Sequence, residues 1–194
     1  MPPRLLLEYT VYTPDQLPAT RLPQLALAGR SNVGKSSLIN ALAGQGKPAK
    51  VSATPGKTRS LNFYRAPGDA LYLVDLPGYG YARRSKAEQA AFAGLIEGYL
   101  VKNPALRALA LLLDCRLEPQ KADIAFVDFA GRQGIPLLPV LTKADKCSLR
   151  ERSQRRQDWA ALLDGCPPLL CSAVKGLGVE ELWGELRRMA GKKP

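Results

Sequence analysis

One segment of this 194-residue chain constrains its fold more than any other, an apolar run followed by a glycine-rich string and then by helical periodicity. The string GRSNVGKS, from Gly29 to Ser36, fits the pattern GxxxxGK[ST]. Glycines let the backbone curl so that N–H groups face a phosphate, the lysine reaches the β and γ oxygens, and the serine ligates Mg²⁺. The sequence therefore predicts a P-loop whose phosphate-facing residues are Gly29, Arg30, Ser31, Asn32, Val33, Gly34, Lys35, Ser36 and Ser37. We expect Lys35 to be a surface charge rather than a core group.

Apolar runs of strand length alternate with helical periodicity along the rest of the chain, which is typical of a mostly parallel sheet with helices on both faces. We predict an α/β P-loop NTPase fold with six strands, at 24–28, 60–65, 70–75, 108–114, 137–142 and 169–172. Two helices, at 85–102 and 148–163, are each predicted to begin with a capping box, Ser85 with Glu88 and Ser148 with Glu151. A third is predicted to have Pro119 in its first turn and to end at about Gly131. The last helix is predicted from an apolar stripe at helical spacing, formed by Val179, Leu182, Trp183, Leu186 and Met189, which we expect to face the core.

The chain length fits one domain. Residues 1–22 are predicted to be an irregular lead-in, with one short strand around 9–12, and residues 23–194 to be the single domain. The segment 44–58 lacks periodicity and is expected to be a long functional loop, a mobile lid rather than a passive linker.

Charge and cysteine content limit the classes of function. The 28 Lys and Arg against 17 Asp and Glu give a net charge of +11, an excess typical of proteins that meet phosphate backbones, although it also aids solubility. The chain has no His, and its four Cys, expected to be buried thiols, lack the CxxC spacing. A zinc cluster and a Cys-His nucleophile are thereby excluded. No apolar run is long enough to span a bilayer or act as a signal peptide, so we expect a cytoplasmic protein.

A second motif, Asp75-Leu76-Pro77-Gly78, follows the apolar run 70–74. The motif would lie at the carboxyl end of a strand beside the P-loop, the edge at which open α/β sheets bind ligands. Asp75 is predicted to hold Mg²⁺, and the Gly78 amide to sense a γ-phosphate.

A third motif, Thr142-Lys143-Ala144-Asp145, also ends an apolar run. A carboxylate there accepts hydrogen bonds from guanine N1–H and the exocyclic amine, a donor pair that adenine lacks, while the Lys143 stem lies over the base. The backbone of Ser172, Ala173 and Val174 is predicted to reach the guanine carbonyl. These motifs predict a GTP-binding domain and argue against an ATPase.

The strings GRSNVGKSSLINAL, TPGKTRSLNFY, DLPGYGYA and TKADK resemble the EngB (YihA/YsxC) family of bacterial GTPases, and the resemblance extends from Leu25 to Leu186. It implies a role in ribosome biogenesis and cell division, with rRNA and proteins of the large ribosomal subunit as partners. We expect no membrane or DNA partner and a monomer.

The resemblance also implies roles for single residues. Thr58 is expected to join Ser36 and Asp75 on Mg²⁺ when GTP is bound, with Thr54 as the alternative, and Gly56, Lys57, Arg59 and Ser60 are expected to contact the nucleotide. Lys35 and Thr58 would support the reaction, but no residue is identified as catalytic. Asn32 either helps to bind K⁺ near the phosphates or only suits the tight turn.

Tyr79 stands where small signalling GTPases have a water-orienting glutamine. We therefore expect a slow GTPase, on the order of 10⁻⁴ to 10⁻³ s⁻¹ or below, that a partner or K⁺ stimulates.

Two kinds of switch are compatible with these motifs, one that docks on rRNA and one that binds a protein effector. Clustered cations favour rRNA. They are Lys47, Lys50, Lys57 and Arg59 in and beside the long loop, Arg150, Arg152, Arg155 and Arg156 in the helix at 148–163, and Arg187, Arg188, Lys192 and Lys193 at the end of the chain.

Overall fold

The computed structural model describes residues 4–44, 49, 60–80, 86–101 and 103–191. Within these ranges, seven strands and five α-helices follow one another along the chain. The strands are β1 (Leu6–Val11), β2 (Gln24–Gly29), β3 (Leu61–Ala66), β4 (Leu71–Asp75), β5 (Leu106–Asp114), β6 (Leu137–Thr142) and β7 (Leu169–Leu170). The helices are α1 (Lys35–Leu42), α2 (Lys86–Val101), α3 (Lys121–Arg132), α4 (Leu149–Leu162) and α5 (Val179–Gly191).

The strands form one sheet in the order β1-β3-β4-β2-β5-β6-β7. From β4 to β7 neighbouring strands pair in parallel, whereas β3 pairs antiparallel with β4 and β1. The predicted mostly parallel α/β fold is confirmed. Because parallel strands end at the same edge, the residues that follow β2, β4, β5 and β6 lie side by side, where such sheets bind ligands.

The core has two apolar layers, one on each face of the sheet. Side chains of α1 and α5 fill one layer, and those of α2, α3 and α4 fill the other. The predicted stripe on α5 is confirmed as core, because Leu182, Trp183 and Leu186 are buried and Val179 and Met189 pack against the same layer.

The sheet has a seventh strand, β1, within the segment predicted to be a mainly irregular lead-in. It pairs antiparallel with β3, and the Tyr9 ring packs edge-on against Phe63 with the ring centroids 6.2 Å apart. All residues of β1 except Val11 are exposed. The strand therefore lacks the buried apolar run that marks the other strands, which is why the sequence indicates only part of it.

Among the described residues, the structure tests two of the predicted helix starts. The Ser148 hydroxyl accepts a hydrogen bond from the Glu151 amide at 3.3 Å, and the Glu151 carboxylate accepts one from the Ser148 amide at 2.6 Å, which confirms that capping box. The N-cap residue of the other predicted capping box, Ser85, lies outside the described residues. Pro119 is not in the first turn of α3, because the carbonyl of Gln120, the N-cap, accepts the first helical hydrogen bond.

Three of the four cysteines are buried as predicted: Cys115, Cys147 and Cys171. The prediction is wrong for Cys166, which lies exposed in the turn that follows α4. Among the described helices, none is both long and apolar enough to cross a membrane.

Candidate functional site

The glycine-rich loop joins the buried end of β2 to the first turn of α1, as predicted. The backbone turns through positive φ angles of 65° at Asn32 and 103° at Gly34, and glycine takes such an angle without a Cβ clash. The first N–H groups of an α-helix, here around Ser36 and Ser37, have no acceptor within the helix. Loop and helix together therefore present hydrogen-bond donors to an anion.

Lys35 and Asp75 form an ion pair at this edge of the sheet. Asp75 ends β4, which pairs in parallel with β2, and its Oδ1 accepts a hydrogen bond from the Lys35 ammonium group. Only 8% of Lys35 and 3% of Asp75 are exposed. The expectation that Lys35 is a surface charge is wrong, because the sheet brings a carboxylate 40 residues away along the chain into contact with it.

Asn62 is a further member of this cluster that sequence reasoning missed. It stands opposite Asp75 in the antiparallel pairing of β3 with β4. Burial raises the pKa of the Asp75 carboxyl, and the Lys35 ammonium and the Asn62 amide act against that rise. A buried charge is costly unless it is paired and hydrogen-bonded, so the two partners offset part of the cost of placing a carboxylate at the buried end of the strand.

The backbone after β4 packs directly on the glycine-rich loop. The Ser31 amide donates to the Tyr79 carbonyl oxygen at 3.1 Å, and the Tyr79 amide donates to the Gly29 carbonyl oxygen at 3.3 Å. A Cβ added at Gly78 would lie 3.0 Å from the nitrogen and from the Oγ of Ser31. A side chain at this position would require Ser31 to shift by a few tenths of an ångström, so the close approach favours glycine and places the Gly78 peptide at the rim of the loop.

The third motif is also attached to the glycine-rich loop. The Thr142 hydroxyl, at the end of β6, donates to the Val33 carbonyl oxygen at 2.6 Å. The Lys143 ammonium group donates to the Asn32 carbonyl oxygen, also at 2.6 Å. The two loops thus form one continuous surface along the carboxyl edge of the sheet.

Asp114 is the second residue that sequence reasoning missed. Its Oδ2 lies 2.8 Å from the Lys143 ammonium group, and Arg116 donates two side-chain hydrogen bonds to the same carboxylate. Although burial acts to raise the pKa of Asp114, the hydrogen bonds from Arg116 and Lys143 lower it to about 2. The available signal was that a carboxylate ends the apolar strand β5, as Asp75 ends β4.

Asp145 faces the loop that follows β7. Its Oδ1 accepts a hydrogen bond from the Ser172 hydroxyl at 2.6 Å, and its Oδ2 lies 3.7 Å from the Lys146 ammonium group. The hydrogen bond from Ser172 is the main reason that the pKa of Asp145 is lowered. In the same region the Ala144 amide donates to the Cys171 carbonyl oxygen at 3.0 Å. The structure thus brings together Asp145 and Ser172, which are far apart in sequence.

The remaining predicted residues divide into two groups. Ala173 is half-buried and Val174 is 77% exposed in the loop after β7, and Ser60 is buried with its hydroxyl 3.5 Å from Asn62 Oδ1. Gly56, Lys57, Thr58, Arg59 and the alternative Thr54 lie outside the described residues, as does most of the loop 44–58.

Most arginines of α4 have partners within the protein. Arg150 is exposed, but the other three bind neighbouring groups and are not a free cationic row. The contacts are from Arg152 to the Cys147 carbonyl oxygen at 3.0 Å, from Arg156 to the Pro168 carbonyl oxygen at 3.1 Å, and from Arg155 to the carboxylates of Asp158 and Glu118.

Known proteins resemble this chain over nearly its whole length. A family model described as a 50S ribosome-binding GTPase matches residues 24–143. The probable GTP-binding protein EngB of Oleidesulfovibrio alaskensis is 58% identical over 190 residues, which is 98% of this chain and 87% of the relative. The protein of the same name from Nitratidesulfovibrio vulgaris is 58% identical over 186 residues, 96% of this chain and 86% of the relative.

A crystal structure of a probable GTP-binding protein EngB superposes on this structure with a TM-score of 0.73. The two are 23% identical, and the match covers 86% of this chain and 98% of the other. At that identity the likeness shows a common fold.

Proposed function

Since the chain belongs to the EngB family of GTP-binding proteins, we propose that it is a GTP-dependent switch in the assembly of the large ribosomal subunit. As a member of this family the protein is a GTPase, which hydrolyses GTP to GDP and phosphate. The observation that best supports the residue assignments is that the Lys35–Asp75 pair and the Asp145 carboxylate lie along one edge of the sheet.

In this proposal the glycine-rich loop and the first turn of α1 bind the phosphates through backbone N–H groups. The Lys35 ammonium group turns from Asp75 toward the β and γ oxygens, which carry more negative charge than one carboxylate. The Gly78 peptide, packed against Ser31, lies where it can respond to the γ-phosphate.

The oxygen donors at this edge suit Mg²⁺, which neutralises charge on the phosphates when bound. The buried Asp75 carboxylate and the Ser36 hydroxyl are its proposed ligands, with Thr58 or Thr54 as a third. Among the described residues, no cluster of three or more His, Cys, Asp and Glu could hold a metal. We therefore assign the other positions to phosphate oxygens and water.

Asp145 is the proposed guanine-binding residue. One of its oxygens accepts from Ser172, but a carboxylate has about four acceptor sites, so capacity remains for the guanine N1–H and amine. The lowered pKa keeps this carboxyl ionised at neutral pH. The exposed loop of Ala173 and Val174 would complete the base site through its backbone N–H groups.

The ribosomal role is supported by the family model, whose description is a 50S ribosome-binding GTPase, and by the net charge of +11. The proposed partners are rRNA and proteins of the large subunit, and the proposed location is the cytoplasm. A link to cell division, a monomeric state and the absence of membrane and DNA partners stay predictions.

Co-sedimentation with ribosomal subunits tests the proposal. The protein should pellet with large subunits more strongly with a non-hydrolysable GTP analogue than with GDP, and across a KCl series the affinity should fall steeply as counterions compete for phosphates. Asp145→Asn is the matched control, because its subunit binding should then follow xanthosine triphosphate instead of GTP.

A protein-effector switch is the competing function. It too would respond to nucleotide, but with a much shallower dependence on salt. Binding to large subunits that is absent, or that ignores both nucleotide and salt, would contradict the ribosomal role and leave the GTPase without an identified partner.

A further inference from the structure

The Tyr79 side chain is held against α3, away from its own loop. Its hydroxyl donates to Asp123 Oδ1 at 2.7 Å. Its ring stacks on Phe126, with centroids 5.0 Å apart and planes 10° from parallel. Asp123 follows Tyr79 by 44 residues in the sequence. Asp123 and Phe126 both lie in the first two turns of α3.

The backbone of Tyr79 is fixed at the same time to the glycine-rich loop. It forms a parallel β-bridge with Arg30, and its carbonyl oxygen accepts from the Ser31 amide at 3.1 Å. Gly78, the preceding residue, packs against Ser31. Contacts that fix the Tyr79 side chain therefore also restrict the position of the Gly78 amide.

Asp123 is suited to such a fixed contact because it is 4% exposed. Burial raises the pKa of its carboxyl, and the Tyr79 hydroxyl and the charge of Arg30 act against the rise. A buried carboxyl without partners is costly, so the hydrogen bond to Tyr79 is the arrangement that the fold favours. The pKa of the Tyr79 hydroxyl is raised by burial and by Asp123, so it remains a donor.

We infer that Asp123 is a positioning residue for GTP hydrolysis, which acts with Phe126 through Tyr79 to hold the Gly78 amide at the phosphate loop before the γ-phosphate arrives. Ordering a loop costs conformational entropy. Because these contacts order the Gly78–Tyr79 segment during folding, less ordering remains when GTP binds. GDP has no γ-phosphate for the Gly78 amide to contact, so its affinity does not depend on the anchor.

The inference rests on the GTPase activity and not on the ribosomal role, so it is tested on the isolated protein. Single-turnover GTP hydrolysis with Mg²⁺ gives the rate, and titrations give the affinities for GDP and a non-hydrolysable GTP analogue. Tyr79→Phe keeps the ring but removes the hydroxyl, and should lower the hydrolysis rate at GTP concentrations below saturation roughly five- to tenfold, the factor that the loss of one hydrogen bond predicts. Affinity for the analogue should fall by a similar factor, while GDP affinity stays within about twofold.

Substitutions at Asp123 separate positioning from a general structural role. Asp123→Ala should lower the rate as Tyr79→Phe does, whereas Asp123→Asn should stay near the wild-type rate because the amide oxygen still accepts from Tyr79. In a Tyr79→Phe background, Asp123→Ala should have no further effect on the rate.

Tyr72→Phe is the matched control. It removes another phenol–carboxylate hydrogen bond, from Tyr72 to Glu8 at 2.9 Å, away from the phosphate loop, and should leave the rate unchanged. Thermal unfolding of each variant shows whether it folds, and Tyr79→Phe carries the test if Asp123→Ala does not fold. A folded Tyr79→Phe protein with an unchanged or higher rate, equal loss of GDP and analogue affinity, or additive effects of the two substitutions would overturn the inference.

Discussion

The Lys143 ammonium group lies 2.6 Å from the Asn32 carbonyl oxygen, so the loop that carries Asp145 is attached to the glycine-rich loop that precedes Lys35. The other partner of Lys143 is Asp114, at 2.8 Å. Lys143 and Asp114, together with the hydrogen bond from Thr142 to the Val33 carbonyl oxygen, therefore fix the base and phosphate parts of the proposed site relative to each other.

Asp114→Ala should weaken GTP and GDP binding together, roughly tenfold, because Lys143 loses a charged partner while both nucleotides use the same base and phosphate loops. Nucleotide titration measures the effect. Asp158→Ala, which removes a carboxylate paired with Arg155 on α4, is the control and should bind normally. Unchanged affinity in Asp114→Ala would show that the attachment has no role in binding.

Asp114 should also contribute to the pH dependence of stability. Its pKa of about 2 in the folded protein lies below the ordinary value of 3.8, so folding favours the ionised form. The contribution, about 2 kcal/mol, is present above the unfolded pKa and is lost as the pH falls through the folded pKa. Denaturant unfolding from about pH 5 to pH 2 should show a difference between wild type and Asp114→Asn that shrinks with acidity. A difference independent of pH would contradict the shift.

Lys35→Met should abolish triphosphate binding and also destabilise the nucleotide-free protein. Removing one partner of a buried ion pair leaves an uncompensated charge, with a cost of about 3–5 kcal/mol. The double variant Lys35→Met/Asp75→Asn should recover the free energy of unfolding but not the binding. Retained GTP binding in Lys35→Met would contradict the P-loop assignment, and unchanged stability would contradict the ion pair.

Asp145→Asn should move nucleotide preference from GTP toward xanthosine triphosphate roughly a hundredfold, since polar groups left without partners in the complex discriminate strongly. The Ser172 hydroxyl, which donates to Asp145 Oδ1, would keep the amide oxygen on its side and leave the amide N–H groups facing the base. Competition titrations measure the preference. Full GTP affinity in this variant would mean that the base binds elsewhere.

Substitution of Asn32 tests whether this residue helps to bind a K⁺ ion that assists GTP hydrolysis. GTPase rates at equal ionic strength should be higher in KCl than in NaCl, because a bound cation adds positive charge near the phosphates. Asn32→Gly should remove the difference, and it suits the positive φ of 65° at this position, whereas alanine would be strained. Equal wild-type rates in the two salts would leave Asn32 as a turn residue only.

The sequence by itself determined the parts of the fold that depend on neighbouring residues. The strand that ends at Gly29 and the helix that begins at Lys35 follow from glycine positions and hydrophobic periodicity, and the start of α4 follows from Ser148 and Glu151. The placement of Asp75 at a strand end also came from a local pattern, an apolar run closed by a carboxylate.

Only the tertiary structure decided which of these local features meet. In the folded protein Lys35 is buried against Asp75, and Lys143 contacts Asp114. Tyr79 donates a hydrogen bond to Asp123, and the exposed strand β1 pairs with the edge of the sheet. Each contact depends on the order of strands across the sheet and on how helices cover it, and no short-range periodicity contains that order. Lys35 meets Asp75, 40 residues away, and Lys143 meets Asp114, 29 residues away, because parallel strands end at one edge. Tyr79 meets Asp123, 44 residues away, because α3 covers one face of the sheet.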